Sequence, residues 1–233
     1  MGGRDDMIFR QLFDPQSSTY TYILGDSIRR EAVIVDPVRE QAPRDLALLH
    51  ELGLRLVYIL ETHVHADHVT GAKALKAQTG AATAVSLHCG ASGFDRLLQD
   101  GDSIAFGDET VQAIGTPGHT PGSTCYLWRD RLLTGDTLLI GGCGRTDFQS
   151  GDSGMLYDSI TQRLFSLPDD TLVYPGHDYK GRWVSTIGEE KRTNPRLAGV
   201  SRERFIEIMR DLDLPLPKKI GEAVPANLQG GVP

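Results

Sequence analysis

Apolar residues in the first third of the chain fall into short runs rich in β-branched and aromatic side chains, divided by Pro, Ser, Gly and Asp. Ile8 to Phe13, Tyr20 to Leu24 and Ala32 to Val35 read as strands, and Asp36-Pro37 ends the third. The spacing then changes. Leu46, Leu49 and Leu52 share one side of a helix over Arg44 to Leu52, which Gly53 stops. Leu56 to Leu60 is an apolar run short enough for a buried strand, and Gly71 to Thr79 is a helix closed by Gly80. Further strands follow at Ser103 to Phe106, Thr110 to Ile114, Thr124 to Trp128 and Arg131 to Leu133, with Gly and Asp in the turns between them. Met155 to Phe165 has amphipathic helical spacing, and Leu172 to Tyr174 is a short strand. Gly188 to Asn194 and Ser201 to Leu212 read as C-terminal helices before a Pro- and Gly-rich tail that wraps the surface.

Many short strands, with helices in blocks, imply an α+β chain of two packed sheets flanked by helices. There is no repeat or linker, so residues 1–233 are expected to form a single domain, with a helical and wrapping tail from about residue 188. At 39% hydrophobic and 24% charged, the chain is in the globular range. The net charge of -7, with only short basic pairs at Arg29-Arg30 and Lys191-Arg192, disfavours nucleic acid as a partner. No run approaches the ~20 apolar residues of a membrane span, and Met1 to Asp6 is polar and acidic, unlike a secretory signal. The three cysteines, Cys89, Cys125 and Cys143, form no C-x-x-C pair, which argues against a disulfide framework or a zinc ribbon and for a reducing cytoplasm.

The chemistry lies in the histidines. Of seven, five (His63, His65, His68, His119 and His177) follow an apolar run or sit in a Gly/Pro-rich turn, as do Asp67 and Asp136. His50 and His88 lack that setting and read as surface residues. A lone Asp in Thr134-Gly135-Asp136-Thr137 would be a turn residue. Thr62-His63-Val64-His65-Ala66-Asp67-His68 is different, because two His and an Asp-His pair in so short a span rarely form a surface loop. Imidazole and carboxylate suit zinc, iron and related divalent ions. His63 and His65, two apart, can share one side of an extended segment, while Asp67 and His68 approach from another direction.

This segment, with Thr116-Pro117-Gly118-His119-Thr120-Pro121-Gly122, Thr134-Gly135-Asp136 and Pro175-Gly176-His177 in that order, resembles the signature of the metallo-β-lactamase superfamily. The resemblance covers most of the chain and implies a four-layer αββα sandwich with the site at one edge. Within the superfamily, Gly142-Cys143-Gly144-Arg145-Thr146-Asp147-Phe148-Gln149, Tyr174 to Tyr179, Val184 to Ile187, Asn194-Pro195-Arg196, Leu212 to Pro215 and Ala223 to Asn227 are similar to the persulfide dioxygenases, or sulfur dioxygenases, of the ethylmalonic-encephalopathy protein family. One small departure is Gly176, where the animal members are expected to carry Ala.

The resemblance implies one Fe(II) per chain on His63, His119 and Asp136. His65, Asp67, His68, His177 and Tyr179 would then orient ligands and bonded water or oxygen species. The implied reaction converts glutathione persulfide, O2 and water to sulfite and glutathione. Arg145, Tyr179 and Arg196 would hold the carrier, since guanidinium suits carboxylate. An equally open reading of Arg145 is a turn salt bridge with Asp147. Cys143 is either close to the site or a small buried apolar residue. The resemblance also implies a homodimer, and a rhodanese or sulfide:quinone oxidoreductase as a functional neighbour. Residue types alone also permit two zinc or iron ions, as in a glyoxalase II-like thioester hydrolase, although the chain lacks that family's longer C-terminal region. A non-catalytic sulfane-sulfur or metal-binding module is a third possibility.

Overall fold

In β2 (Thr19–Asp26), Tyr20, Tyr22 and Leu24 alternate with Ile23, and all four are buried. Successive side chains leave a strand on opposite faces, so a strand apolar on both faces lies between two cores. A computed structural model of the chain, describing residues 7–231, shows both. The acidic stretch Met1 to Asp6 lies outside the described residues.

Strands β1 (Met7–Asp14), β2, β3 (Glu31–Val35), β4 (Arg55–Leu60), β5 (Ala82–Ser86) and β6 (Arg96–Leu98) form one sheet in chain order, antiparallel as far as β3 and parallel from there on. Strands β7 (Ser103–Phe106), β8 (Glu109–Gly115), β9 (Thr124–Trp128), β10 (Arg131–Gly135), β11 (Leu172–Pro175) and β12 (Ser185–Thr186) form the other, with β10 and β11 its parallel pair. Tyr22, Leu24, Val33 and Leu60 meet Phe106, Tyr126, Trp128 and Leu133 between the sheets. On the outside of the first sheet, Ile23, Ile34 and Ile59 pack on Leu49 of α1 (Ala42–Glu51) and Leu75 of α2 (Ala72–Thr79). On the outside of the second, Cys125, Leu132 and Val173 pack on α3 (Ser153–Asp158), its π-helical continuation Ser159–Leu164, α4 (Ile187–Thr193) and α5 (Arg202–Arg210). Each large buried side chain contributes roughly 1.5–3 kcal/mol. The expected αββα sandwich is the observed one.

The structure adds elements that the pattern missed. Strands β5, β6 and β12 are short, and β5 is made of Ala, Thr, Val and Ser; it is a strand because β4 and β6 pair with it on either side. The tail is not only wrapping. It forms α6 (Ile220–Asn227), a helix that carries Pro225 in its interior. No helix among the described residues is long and apolar enough to cross a membrane.

Candidate metal centre

Strands β3, β4, β8, β10 and β11 each run out into a loop that carries a buried or half-buried His or Asp. Asp36 follows β3, Glu61 to His68 follow β4, His119 follows β8, Asp136 follows β10 and His177 follows β11. Close backbone contacts hold these loops together: Thr124 N donates to Thr62 O, Tyr20 N to Gly176 O, and Gly176 N to Gly135 O, at 2.7–2.8 Å. Two glycines permit the approach. Gly135 has φ +48, where L side chains are strained, and a Cβ there would lie 2.5 Å from Thr62 Oγ1. A Cβ on Gly176 would lie 2.8 Å from Asp136 Oδ1.

Each of the five imidazoles is anchored through one ring nitrogen. The Thr62 hydroxyl donates to Asp36 Oδ2 at 2.8 Å, so its oxygen accepts from His63 Nδ1 at 2.9 Å. His119 Nδ1 donates to the Arg145 carbonyl at 2.6 Å, and His177 Nδ1 to the Ser18 carbonyl at 3.1 Å. His68 Nδ1 bonds Asp67 Oδ2 at 2.9 Å. His65 Nε2 donates to Asp36 Oδ1 and Glu61 Oε2 at 3.1 and 3.2 Å. An anchored ring nitrogen fixes the tautomer and leaves the other nitrogen as a ligand atom.

The imidazoles and carboxylates fall into close groups. One ligand atom from each of His63, His119 and Asp136 lies within 4.8 Å of the others, and the same holds for His65, Asp67 and His68. His177 Nε2 sits between the two sets, 3.6 Å from Asp136 Oδ1 and 3.7 Å from Asp67 Oδ2. His65 Nδ1, His68 Nε2 and Asp136 Oδ1 are buried with no hydrogen-bond partner. Buried polar atoms without partners are unfavourable, and a metal ion would satisfy them. The donor set therefore fits a divalent cation, with two nitrogens and one oxygen in the first group and room for a second ion in the next. Asp36, Glu61 and His65 also cluster, but there the His nitrogen is already shared between two carboxylates, which makes that group a hydrogen-bonded support.

Electrostatics follow from this packing. Burial and the neighbouring imidazoles hold His63 well below the usual histidine value, so it is neutral and able to ligate. Burial acts against charge on His65, yet Asp36 and Glu61 outweigh it and hold His65 well above that value. Burial also opposes charge on Asp67, but His68 and His177 keep its carboxyl well below the usual range, so it is ionised.

The remaining expected residues line one cleft of about 610 Å³ above the site, a size suited to a small molecule. Tyr179 stacks on His177 with ring centroids 6.1 Å apart. Arg145 lines the cleft, but its guanidinium is already occupied, so the salt-bridge reading is the observed one. Nε and Nη2 pair with both Asp147 oxygens at 2.7 and 2.6 Å, and Nη1 and Nη2 donate to the carbonyls of Pro215 and Leu214 at 2.6 and 3.0 Å. Arg196 Nη1 donates to the Cys143 carbonyl at 2.7 Å. Cys143 lines the cleft and is buried against Met209 and Arg196, and burial raises its thiol pKa. His50 and His88 are exposed, as expected.

Several residues that support the site were given no role from the sequence, although Gln149 and Asn227 end segments that carry the family resemblance. Asn227 on α6 donates to the carbonyls of His65 and His68 at 2.9 and 2.8 Å and accepts from Thr70 N at 2.8 Å. Gln149 donates to the Val64 carbonyl at 2.9 Å. Asp36, read only as a strand end, accepts from Thr62 N, the Thr62 hydroxyl and His65. Its place at the end of a buried strand was the available clue.

A profile of the metallo-beta-lactamase superfamily matches residues 14–177. The human mitochondrial persulfide dioxygenase ETHE1 is 48% identical over 99% of this chain and 91% of its own length. A crystal structure of ETHE1 from Myxococcus xanthus superposes with a TM-score of 0.95 at 56% identity, covering 97% of this chain and 100% of that one. A hydroxyacylglutathione hydrolase of Rhizobium johnstonii is 38% identical over 77% of this chain and 72% of its own.

Proposed function

This chain belongs to the metallo-β-lactamase superfamily, and within it to the persulfide dioxygenase family; on that premise we propose that it oxidises glutathione persulfide with O2 and water to sulfite and glutathione, using one Fe(II) held by His63, His119 and Asp136. The observation that carries this reading is the convergence of two imidazoles and one carboxylate within 4.8 Å beneath an open cleft. A two-His-one-carboxylate face leaves coordination positions open, as oxygen-activating non-haem iron requires. When bound, iron would supply the redox chemistry that brings O2 and the sulfane sulfur together.

The protein's own residues do the rest. Thr62 and the Arg145 carbonyl fix the His63 and His119 tautomers with the cleft-facing nitrogens unprotonated. Asp67, kept ionised by His68 and His177, lies beside the first ligand set and can take a proton-bearing water. Tyr179 and His177 form a flat wall on which the carrier can lie. The sulfane sulfur supplies the electrons that reduce O2, one S–S bond breaks, the carrier leaves as thiol, and water provides the remaining oxygen of sulfite.

The lower identity and coverage of the hydroxyacylglutathione hydrolase favour the dioxygenase over thioester hydrolysis. Three free thiols fit a reducing compartment such as the cytoplasm. A homodimer, and a rhodanese or sulfide:quinone oxidoreductase as persulfide source, accompany the proposal. The test is oxygen consumption by the iron-loaded protein given glutathione persulfide, with sulfite and metal measured on the same sample. Uptake with sulfite and about one iron per chain supports it. No uptake, with two metals bound and turnover of a glutathione thioester, overturns it.

A further inference from the structure

The cleft has cations at its mouth that the reaction does not explain. Five basic residues line it: Arg145, Lys180, Arg182, Arg196 and Lys218. Three have fixed partners. Arg145 holds Asp147 and the Leu214 and Pro215 carbonyls. Arg182 is turned onto Asp178, with Nε and Nη2 at 3.0 and 2.9 Å from Oδ1. Arg196 holds the Cys143 carbonyl. Lys180 and Lys218 are exposed, and their ammonium groups meet no carboxylate among the described residues.

The two lysines come from different parts of the chain. Lys180 follows Tyr179 in the loop after β11. Lys218 ends the strap Leu214 to Lys218 between α5 and α6, where Pro215 and Pro217 restrict the backbone. Arg145 ties that strap to the loop that orients His119. Leu214 and Leu216 of the strap are 44% and 60% exposed and also line the cleft. The cleft thus carries two exposed lysines without a carboxylate partner beside Leu214 and Leu216, and is lined as well by the half-buried Asp67 and Asp136.

We propose that Lys180 and Lys218 are specificity residues that bind the carboxylates of a peptide thiol carrier, selecting a persulfide with two carboxylates, such as glutathione persulfide, over one with none, with Arg145 as the positioning residue that holds the strap carrying Lys218. This rests on the dioxygenase reading for its substrate. It assigns carrier recognition to two lysines in place of the arginines that residue type suggests. Lysine suits this role as a mobile point charge that adapts to either end of a flexible peptide.

The experiment compares the wild type with Lys180→Gln, Lys218→Gln and the double variant, with Lys73→Gln on α2 as a control for charge. KM is measured for glutathione persulfide and for the persulfide of 2-mercaptoethanol. Glutathione binding is measured separately by calorimetry. Each single change is expected to raise KM for glutathione persulfide about threefold to fivefold, and the double change about tenfold or more. KM for the carboxylate-free persulfide should move far less, and glutathione binding should weaken in parallel. Equal effects on both substrates, or none on either, would overturn the proposal, as would glutathione binding unchanged in the double variant. If the wild type consumes no persulfide at all, the dioxygenase reading fails, and the calorimetry still decides whether these lysines hold the carrier.

Discussion

His119 Nδ1 donates to the main-chain carbonyl of Arg145 at 2.6 Å, and the side chain of the same arginine bonds the Leu214 and Pro215 carbonyls. One residue therefore links an imidazole of the candidate metal site to the strap that lines the cleft. The link makes the ligand geometry depend on a segment about seventy residues further along the chain.

The division between the two donor sets can be tested by metal content. His119→Ala and Asp136→Ala each remove one of three atoms of the first set, and both should lose iron and activity together. Asp67→Ala should retain most of its iron, because Asp67 belongs to the other set. Elemental analysis of purified variants checks this. Equal metal loss in all three would mean that Asp67 is a direct ligand and the site dinuclear.

Gly176 is less neutral than its size suggests. An added Cβ would lie 2.8 Å from Asp136 Oδ1 and 2.9 Å from the Gly135 carbonyl carbon, so Ala fits here only if the Asp136 carboxylate or the Gly135 backbone shifts. Gly176→Ala should push the Asp136 carboxylate and weaken metal binding about tenfold while leaving the fold intact. A chelator competition titration reads the affinity directly, and an unchanged value would show that the loop relaxes freely.

Asn227 makes three hydrogen bonds to the His65–Thr70 loop from the tail helix. Asn227→Ala should cost about 2–4 kcal/mol, from lost bonds and buried carbonyls left unpaired. Asn227→Asp keeps the acceptor for Thr70 N but removes both donors, so it should be nearly as damaging. Thermal unfolding with metal release followed on the same sample tests this. Full tolerance of the Asp variant would show that the donors to His65 and His68 do not hold the loop.

Asp45 on α1 is fully buried, and burial raises its carboxyl from 3.8 to about 6, with Arg44 only partly offsetting this. The folded state thus binds the proton more tightly than the unfolded chain. Its contribution is favourable below the unfolded value and is lost as pH rises through about 6. A displacement of that size corresponds to on the order of 3 kcal/mol. Asp45→Asn should therefore be more stable than the wild type at pH about 8 and show little difference at pH about 4. Denaturant unfolding at both pH values measures it, and a difference independent of pH would exclude Asp45 as the source.

The sandwich was legible from the chain because its strands are apolar on both faces and its outer helices on one, as in Tyr20 to Leu24 and Arg44 to Leu52. The candidate metal-binding set was legible too, since His63, His65, Asp67 and His68 are neighbours in sequence, and small residues mark the loops of His119, Asp136 and His177. Residue type and local spacing carry that information. Strand β5 was not legible, because Ala, Thr and Ser become a strand only when β4 and β6 supply the ladder. Nor was helix α6, with Pro225 inside it.

The layers, and a set of His and Asp residues of types able to hold a metal ion, follow from residue type and local spacing along the chain. The tertiary structure alone decided which partner each side chain takes. Arg145 has the right charge for a substrate carboxylate, but Asp147 and the strap meet it first. Asn227 lies in a tail that reads as surface wrapping, yet it holds a loop about 160 residues away. A guanidinium or an amide bonds whatever the fold brings within about 3 Å in the right orientation, and no local pattern encodes which distant backbone that will be.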